Sequence, residues 1–141
     1  MKDERAPVSP DEVVVRLIWR DYYRPNEARL VRDRAFLPRP SDDTGLSVFR
    51  LACLGDARDA LAVIALEKRD QYALALLPVA DLLALGLSVE PAQIDAVPGH
   101  AVIPELNIAL VASDGKRCAD IQKALVALAA KNLIPPAESK T

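Results

Sequence analysis

Prolines at positions 25, 38, 40, 78, 91 and 104 divide this chain into short pieces and set where its elements can end. A proline lacks a backbone N–H and holds φ at roughly −65°, so it stops a strand or opens a helix but continues neither. The first piece, Glu12–Trp19, carries Val13, Val14, Val15 and Ile18, a β-branched run that reads as a largely buried strand. Pro38 and Pro40 force an extended segment. Leu46–Leu54 reads as a second strand ended by Gly55-Asp56, and Tyr72–Leu77 as a third, ended by Pro78. Leu87–Val89 is a short strand stopped at Pro91, and His100–Ile103 another stopped at Pro104.

Helices fit between these strands. Asn26 is placed to cap a short helix over Glu27–Arg34, with Leu30 and Val31 inward. Asp56 is placed to cap another, in which Ala57, Leu61, Ile64 and Ala65 form a stripe. Pro78 suits the first turn of a third helix and Gly86 its end. Ser113 or Asp114 caps a fourth from about Lys116 to Lys131, where Cys118, Ile121, Leu125 and Leu128 fall on one face. Asn107–Ala112 is a last apolar run that reads as a strand.

With 141 residues the chain makes one domain. Apolar residues make up 51% but aromatics only 4%, so the core is built from Ala, Leu, Val and Ile. Alternating strands and helices give an α/β fold class with mixed α+β as the variant. The expected form is a single small domain with five or six short strands in a mixed sheet and three or four helices packed on it. Residues 1–10 read as a disordered lead, 11–134 as the globular domain, and 135–141 as a flexible tail. The first ten residues hold no apolar segment of the kind a secretory signal carries. No apolar run approaches the roughly 18 residues of a membrane span, so the cytoplasm is expected. Cys53 and Cys118 each lie in an apolar context and read as buried free thiols.

Charge is unevenly spread. The net charge is −2, which argues against a surface built wholly for nucleic acid. Yet residues 16–39 carry seven arginines and a local balance of +4. Arg16, Arg20, Arg24, Arg29, Arg32 and Arg34 are interleaved with Trp19 and Tyr23, and guanidinium both chelates anions and stacks on aromatic rings. That mixture suits an acidic protein or a single-stranded nucleic acid as partner. A solvated face of arginines paired with Asp21, Glu27 and Asp33 accounts for the same residues.

His100 is the only histidine, so metal sites needing two are excluded. It follows Gly99 at the start of a strand, and as a general acid or base its partners would be Asp42, Asp43 or Ser47. The adjacent Asp42 and Asp43 sit in an ordinary turn sequence without the spacing of a calcium loop. Glycine-rich phosphate loops, paired Cys-x-x-Cys motifs and a Gly-x-Ser-x-Gly elbow are all missing. Neither a cofactor nor a metal is expected.

Three patches are set together: Ala35-Phe36, then Asp43 with Gly45-Leu46-Ser47-Val48, then Gly99-His100-Ala101-Val102-Ile103. This arrangement resembles a group of small bacterial proteins that carries no named activity. The resemblance groups the arginine stretch, the Gly45–Val48 turn and His100 as one surface.

Three readings follow. The favoured one is a non-enzymatic binding module of a bacterial complex or defence-type system, engaging an acidic protein or nucleic acid through Arg16, Trp19, Arg20, Tyr23, Arg24, Arg29, Arg32 and Arg34. The second is a small enzyme on a phosphate-bearing substrate such as RNA or a nucleotide, with His100 as general acid/base beside Asp43 or Ser47. The third is a structural subunit that forms a homodimer.

Overall fold

The β-branched run forms one of the two central strands of a six-stranded sheet. The computed structural model describes residues 2–27, 30–40, 42 and 44–137. Its strands are β1 (Val13–Trp19), β2 (Leu46–Arg50), β3 (Tyr72–Pro78), β4 (Glu90–Pro91), β5 (His100–Ile103) and β6 (Leu133–Ile134). They are ordered β4-β5-β2-β1-β3-β6. The helices are α1 (Val79–Ala84), α2 (Ile108–Ser113) and α3 (Gly115–Lys131), with several 3-10 turns between. The chain is thus one small α/β domain. None of its helices among the described residues is long and apolar enough to cross a membrane.

Every pairing among the named strands is antiparallel. The alternation of elements in the sequence suggests a partly parallel sheet instead. The connections explain the difference: several consist of 3-10 turns and extended chain rather than one crossover helix. β1 pairs with β3 along seven residues, Val13↔Pro78 to Trp19↔Tyr72, but with β2 at only two, Val14↔Arg50 and Val15↔Phe49. The outermost strands, β4 and β6, are two residues each, which leaves little edge for strand addition.

Side chains alternate across the sheet, so each face builds its own core. On one face Val14, Ile18, Val48, Ala73, Leu77 and Ile103 meet Val79 and Leu82 of α1 and Ile121, Leu125 and Ala129 of α3. On the other, Val15, Phe49 and Leu74 meet Ala57, Ala60, Leu61 and Val97. Leu125 is fully buried, and truncating it to Ala should cost about 2–5 kcal/mol.

α3 forms where the spacing expects it. The Asp114 carboxylate accepts from the Arg117 N–H at 3.1 Å, and Cys118, Ile121, Leu125 and Ala129 bury one stripe. α2 corrects the strand expected over Asn107–Ala112. Asn107 Oδ1 accepts from the Leu110 N–H at 3.0 Å, so a capping side chain turns an ambiguous apolar run into a helix.

The helix expected over Glu27–Arg34 is also replaced. Arg24 N donates to Leu30 O at 2.7 Å and Arg32 N to Tyr22 O at 2.8 Å, with Tyr23 bridged to Val31. The chain folds back on itself there so that Val31 is buried, then makes a 3-10 turn at Asp33–Phe36. After Asp56 the expected helix becomes two 3-10 segments, Ala57–Val63 and Leu66–Gln71. Its capping signal is real nonetheless: Arg58 N donates to Asp56 Oδ1 and Asp56 N to Asp59 Oδ2.

Residues 4–12 are tied to β2 by one side chain. Arg50 is fully buried, and its guanidinium donates to both Glu12 carboxylate oxygens at 2.8 Å. It also donates to the carbonyls of Glu4, Ala6 and Pro7 at 3.2, 2.6 and 3.3 Å. Lys2 Nζ and Ser9 N donate to the same Glu12 carboxylate. Burial by itself pushes the Glu12 carboxyl up, but the bonds from Arg50, Ser9 and Lys2 outweigh it and hold it at about 2.

Candidate functional site

Ser47, Phe49 and His100 share a face because the β2–β5 register requires it. Phe49 stands opposite His100, and Ser47 lies two positions along the same strand from Phe49. The His100 ring packs edge-on to Phe49 at 5.3 Å between centroids. Gly99 makes this placement possible. Its φ is +85°, and a Cβ there would lie 2.6 Å from Cys53 Cβ, so only glycine lets the backbone lie against that side chain.

The hydrogen bonds of His100 fix its tautomer. Nδ1 lies 2.5 Å from Ala92 O and Nε2 lies 3.1 Å from Ser47 Oγ. A carbonyl oxygen only accepts, so Nδ1 carries the proton. In the neutral ring Nε2 then offers a lone pair, and the Ser47 hydroxyl donates to it. The pair amounts to a hydroxyl held against a base, with a backbone carbonyl orienting the base.

Arg16 comes to the same place from β1. Nε and Nη2 donate to Ala35 O at 3.0 and 2.9 Å, and Nη1 donates to Ser47 O at 2.9 Å. That last bond takes over where the short β1–β2 ladder ends. Burial pulls the Arg16 guanidinium down to about 10, against the pull of Asp42 and helped by Arg39. It remains a cation at neutral pH. Five N–H donors belong to a guanidinium, two more than these three bonds use.

These groups line a pocket of about 310 Å³ together with Arg39, Asp42 and Tyr72. Asp42 Oδ2 accepts from Arg39 N at 2.8 Å, which fixes the turn that brings both residues in. The rest of the wall is apolar: Leu17, Phe49, Val63, Ile64 and Ile94. Cationic and polar groups therefore ring one part of the bowl, and aliphatic carbon forms the remainder.

The arginines that stand close together in the sequence divide in space. Arg16 lines the pocket. Arg24, Arg32 and Arg34 line a different, more open depression of about 400 Å³ with Asp21, Tyr22 and Asp33. There Arg24 and Arg32 both pair with Glu27, at 3.6 and 3.1 Å. Arg20 lies over the Trp19 ring at 5.2 Å, and Trp19 packs on Tyr72 at 5.1 Å. Tyr23 lines neither depression and is bridged to Val31. Arg29 and Asp43 lie outside the described residues. Ser47 and His100 are brought together, and Asp42 lines the pocket with them.

Arg39, Tyr72, Phe49 and Ile94 also belong to the pocket, and no motif in the sequence marks them. The Phe49 position follows from the β2–β5 register, which no local pattern encodes. Among the described residues no cluster of His, Cys, Asp and Glu could hold a metal ion. Both cysteines are buried and free, and burial raises both thiols. Comparison with protein families, curated proteins and solved structures finds no match for the chain.

Proposed function

We propose that this protein is a cytoplasmic binding module whose pocket between β1, β2 and β5 takes an acidic side chain of a protein partner. The observation that carries this reading is the make-up of the pocket. Arg16 and Arg39 supply donors for a carboxylate, beside an aliphatic wall of Leu17, Val63, Ile64 and Ile94. An acidic residue next to an apolar one on a short peptide segment fits both parts.

A nucleic acid fits less well. The two aromatic side chains of the pocket are engaged, Tyr72 with Trp19 and Phe49 with His100, so neither offers a free ring for a base. The arginines of the second depression also share their surroundings with Asp21, Glu27 and Asp33.

The test is a titration of short acidic-apolar peptides and of oligonucleotides at two salt concentrations, with Arg39→Ala and Arg34→Ala alongside. Peptide binding weakened by Arg39→Ala and untouched by Arg34→Ala supports the reading. Binding of oligonucleotides alone, weakened by Arg34→Ala, overturns it in favour of a phosphate-reading face.

A second reading is supported by the two hydrogen bonds of His100. An enzyme acting on a phosphate-bearing substrate would hold phosphate with the arginines and move protons through that ring. It requires turnover that His100→Ala abolishes while the fold is kept.

A further inference from the structure

The Ser47–His100 pair has a property that simple binding does not use. Ser47 Oγ lies 3.1 Å from Nε2, and the proton on Nδ1 is held by Ala92 O, so the hydroxyl faces the one ring nitrogen able to take its proton. Ser47 is neither on the outer surface nor sealed in the core: it is half-buried in a strand and lines the pocket. The Arg16 guanidinium bonded to its carbonyl, and Arg39, line the same pocket, so positive charge is available there to an oxyanion.

We propose that Ser47 is a nucleophile activated by His100 and that the pocket accepts short acyl esters bearing an acidic group. In the first step Ser47 Oγ bonds to the ester carbonyl carbon as its proton passes to His100 Nε2. The carbon–oxygen bond to the alcohol then breaks, and the alcohol leaves with the proton from Nε2. Water repeats the sequence on the acyl-serine and returns acid and free enzyme. Ester and water give acid and alcohol, with no further reactant. The choice of an acidic ester rests on the reading of the pocket as an anion-taking bowl.

The experiment uses the intact chain. A fluorophosphonate probe is applied, with intact-mass and peptide mass spectrometry to locate the adduct. Turnover of p-nitrophenyl butyrate is compared with that of the p-nitrophenyl monoester of succinate, for the parent and for Ser47→Ala, His100→Ala and Arg39→Ala. Far-ultraviolet circular dichroism checks that each variant folds.

The expected result is one adduct, on Ser47, absent in Ser47→Ala and slowed by roughly 10²-fold or more in His100→Ala. Arg39→Ala should cut turnover of the succinate ester more than that of the butyrate. An adduct on Ser47 with equal loss on both esters leaves the nucleophile standing and overturns the acidic-ester assignment. No adduct and no turnover, with acidic-peptide binding intact, overturns the nucleophile and spares the binding reading. Should His100→Ala fail to fold, Ser47→Cys decides. Its thiol should react with iodoacetamide faster than buried Cys53 and Cys118 and faster below pH 8 than a free cysteine, and a rate no different from a free cysteine overturns the activation.

Discussion

Arg50 and Arg16 meet the same short β1–β2 ladder at its two ends and are treated in opposite ways. Arg50 is fully buried, and its donors go to a carboxylate and three carbonyls of the preceding chain. Its partner Glu12 is also buried and takes Lys2 and Ser9 besides, so these charges are answered within the fold. Arg16 is only partly buried, and its three bonds go to two carbonyl oxygens rather than to a carboxylate. Burial accordingly pulls its pKa down, whereas the bond to Glu12 pushes that of Arg50 up. One arginine is finished as structure. The other keeps charge directed at a pocket.

This contrast can be broken by substitution. The largest effect is expected from Glu12→Gln, which strands the Arg50 cation in the interior. Stability should fall by about 3–5 kcal/mol, read as a shift in the denaturant midpoint at unchanged slope. A loss under about 1 kcal/mol would mean that water reaches Arg50.

Acid should act through the same carboxylate. Glu12 is held at about 2 against an ordinary value of 4.5, so its contribution is present above 4.5 and is lost as pH falls toward 2. That shift corresponds to about 3 kcal/mol. Denaturation curves from pH 6 to 2 should show the decline, and Glu12→Gln should flatten it.

Arg16→Met should cost less, about 1–2 kcal/mol, because it withdraws donors from Ala35 O and Ser47 O but also removes a partly buried charge. Thermal melting checks this, and a loss as large as that of Glu12→Gln would erase the distinction between the two arginines. Arg39→Ala should leave stability within about 0.5 kcal/mol, since Arg39 is exposed. It should still weaken acidic-peptide binding by about tenfold, measured by calorimetry.

The sequence carried the local signals well and the non-local ones poorly. Asp114 and the spacing of Cys118, Ile121 and Leu125 announced α3 because capping and helical periodicity both lie within a few residues. Pro78 and Pro104 marked strand ends for the same reason, whereas the strand expected over Leu87–Val89 forms instead at Glu90–Pro91, with Pro91 inside it. For His100 the sequence offered Asp42, Asp43 and Ser47 as partners, and the β2–β5 register brings Ser47 to it. Strand direction was not legible, since it depends on how the chain travels between strands. Nor was the split of the arginines: Arg16 alternates inward on a strand, whereas Arg24 and Arg32 lie on a folded-back loop with Glu27 between them. Asn107, read as the start of a strand, is a cap whose role shows only with the helix behind it.

The brevity of the β1–β2 ladder has a consequence for how the molecule opens. Seven residue pairs weld β1 to β3, but two backbone pairs and the Arg16 bond to Ser47 O join β1 to β2, while Arg50 ties β2 to Glu12 just before β1. The sheet is therefore two half-sheets sharing a narrow seam. Amides of β2 and β5 should exchange with solvent as one cooperative group, at lower free energy than those of β1 and β3. The pocket straddles that seam. A guest that bridges Arg16 and His100 would stitch the halves together, and its arrival would be felt as slowed exchange along β2 and β5, well away from the atoms it touches.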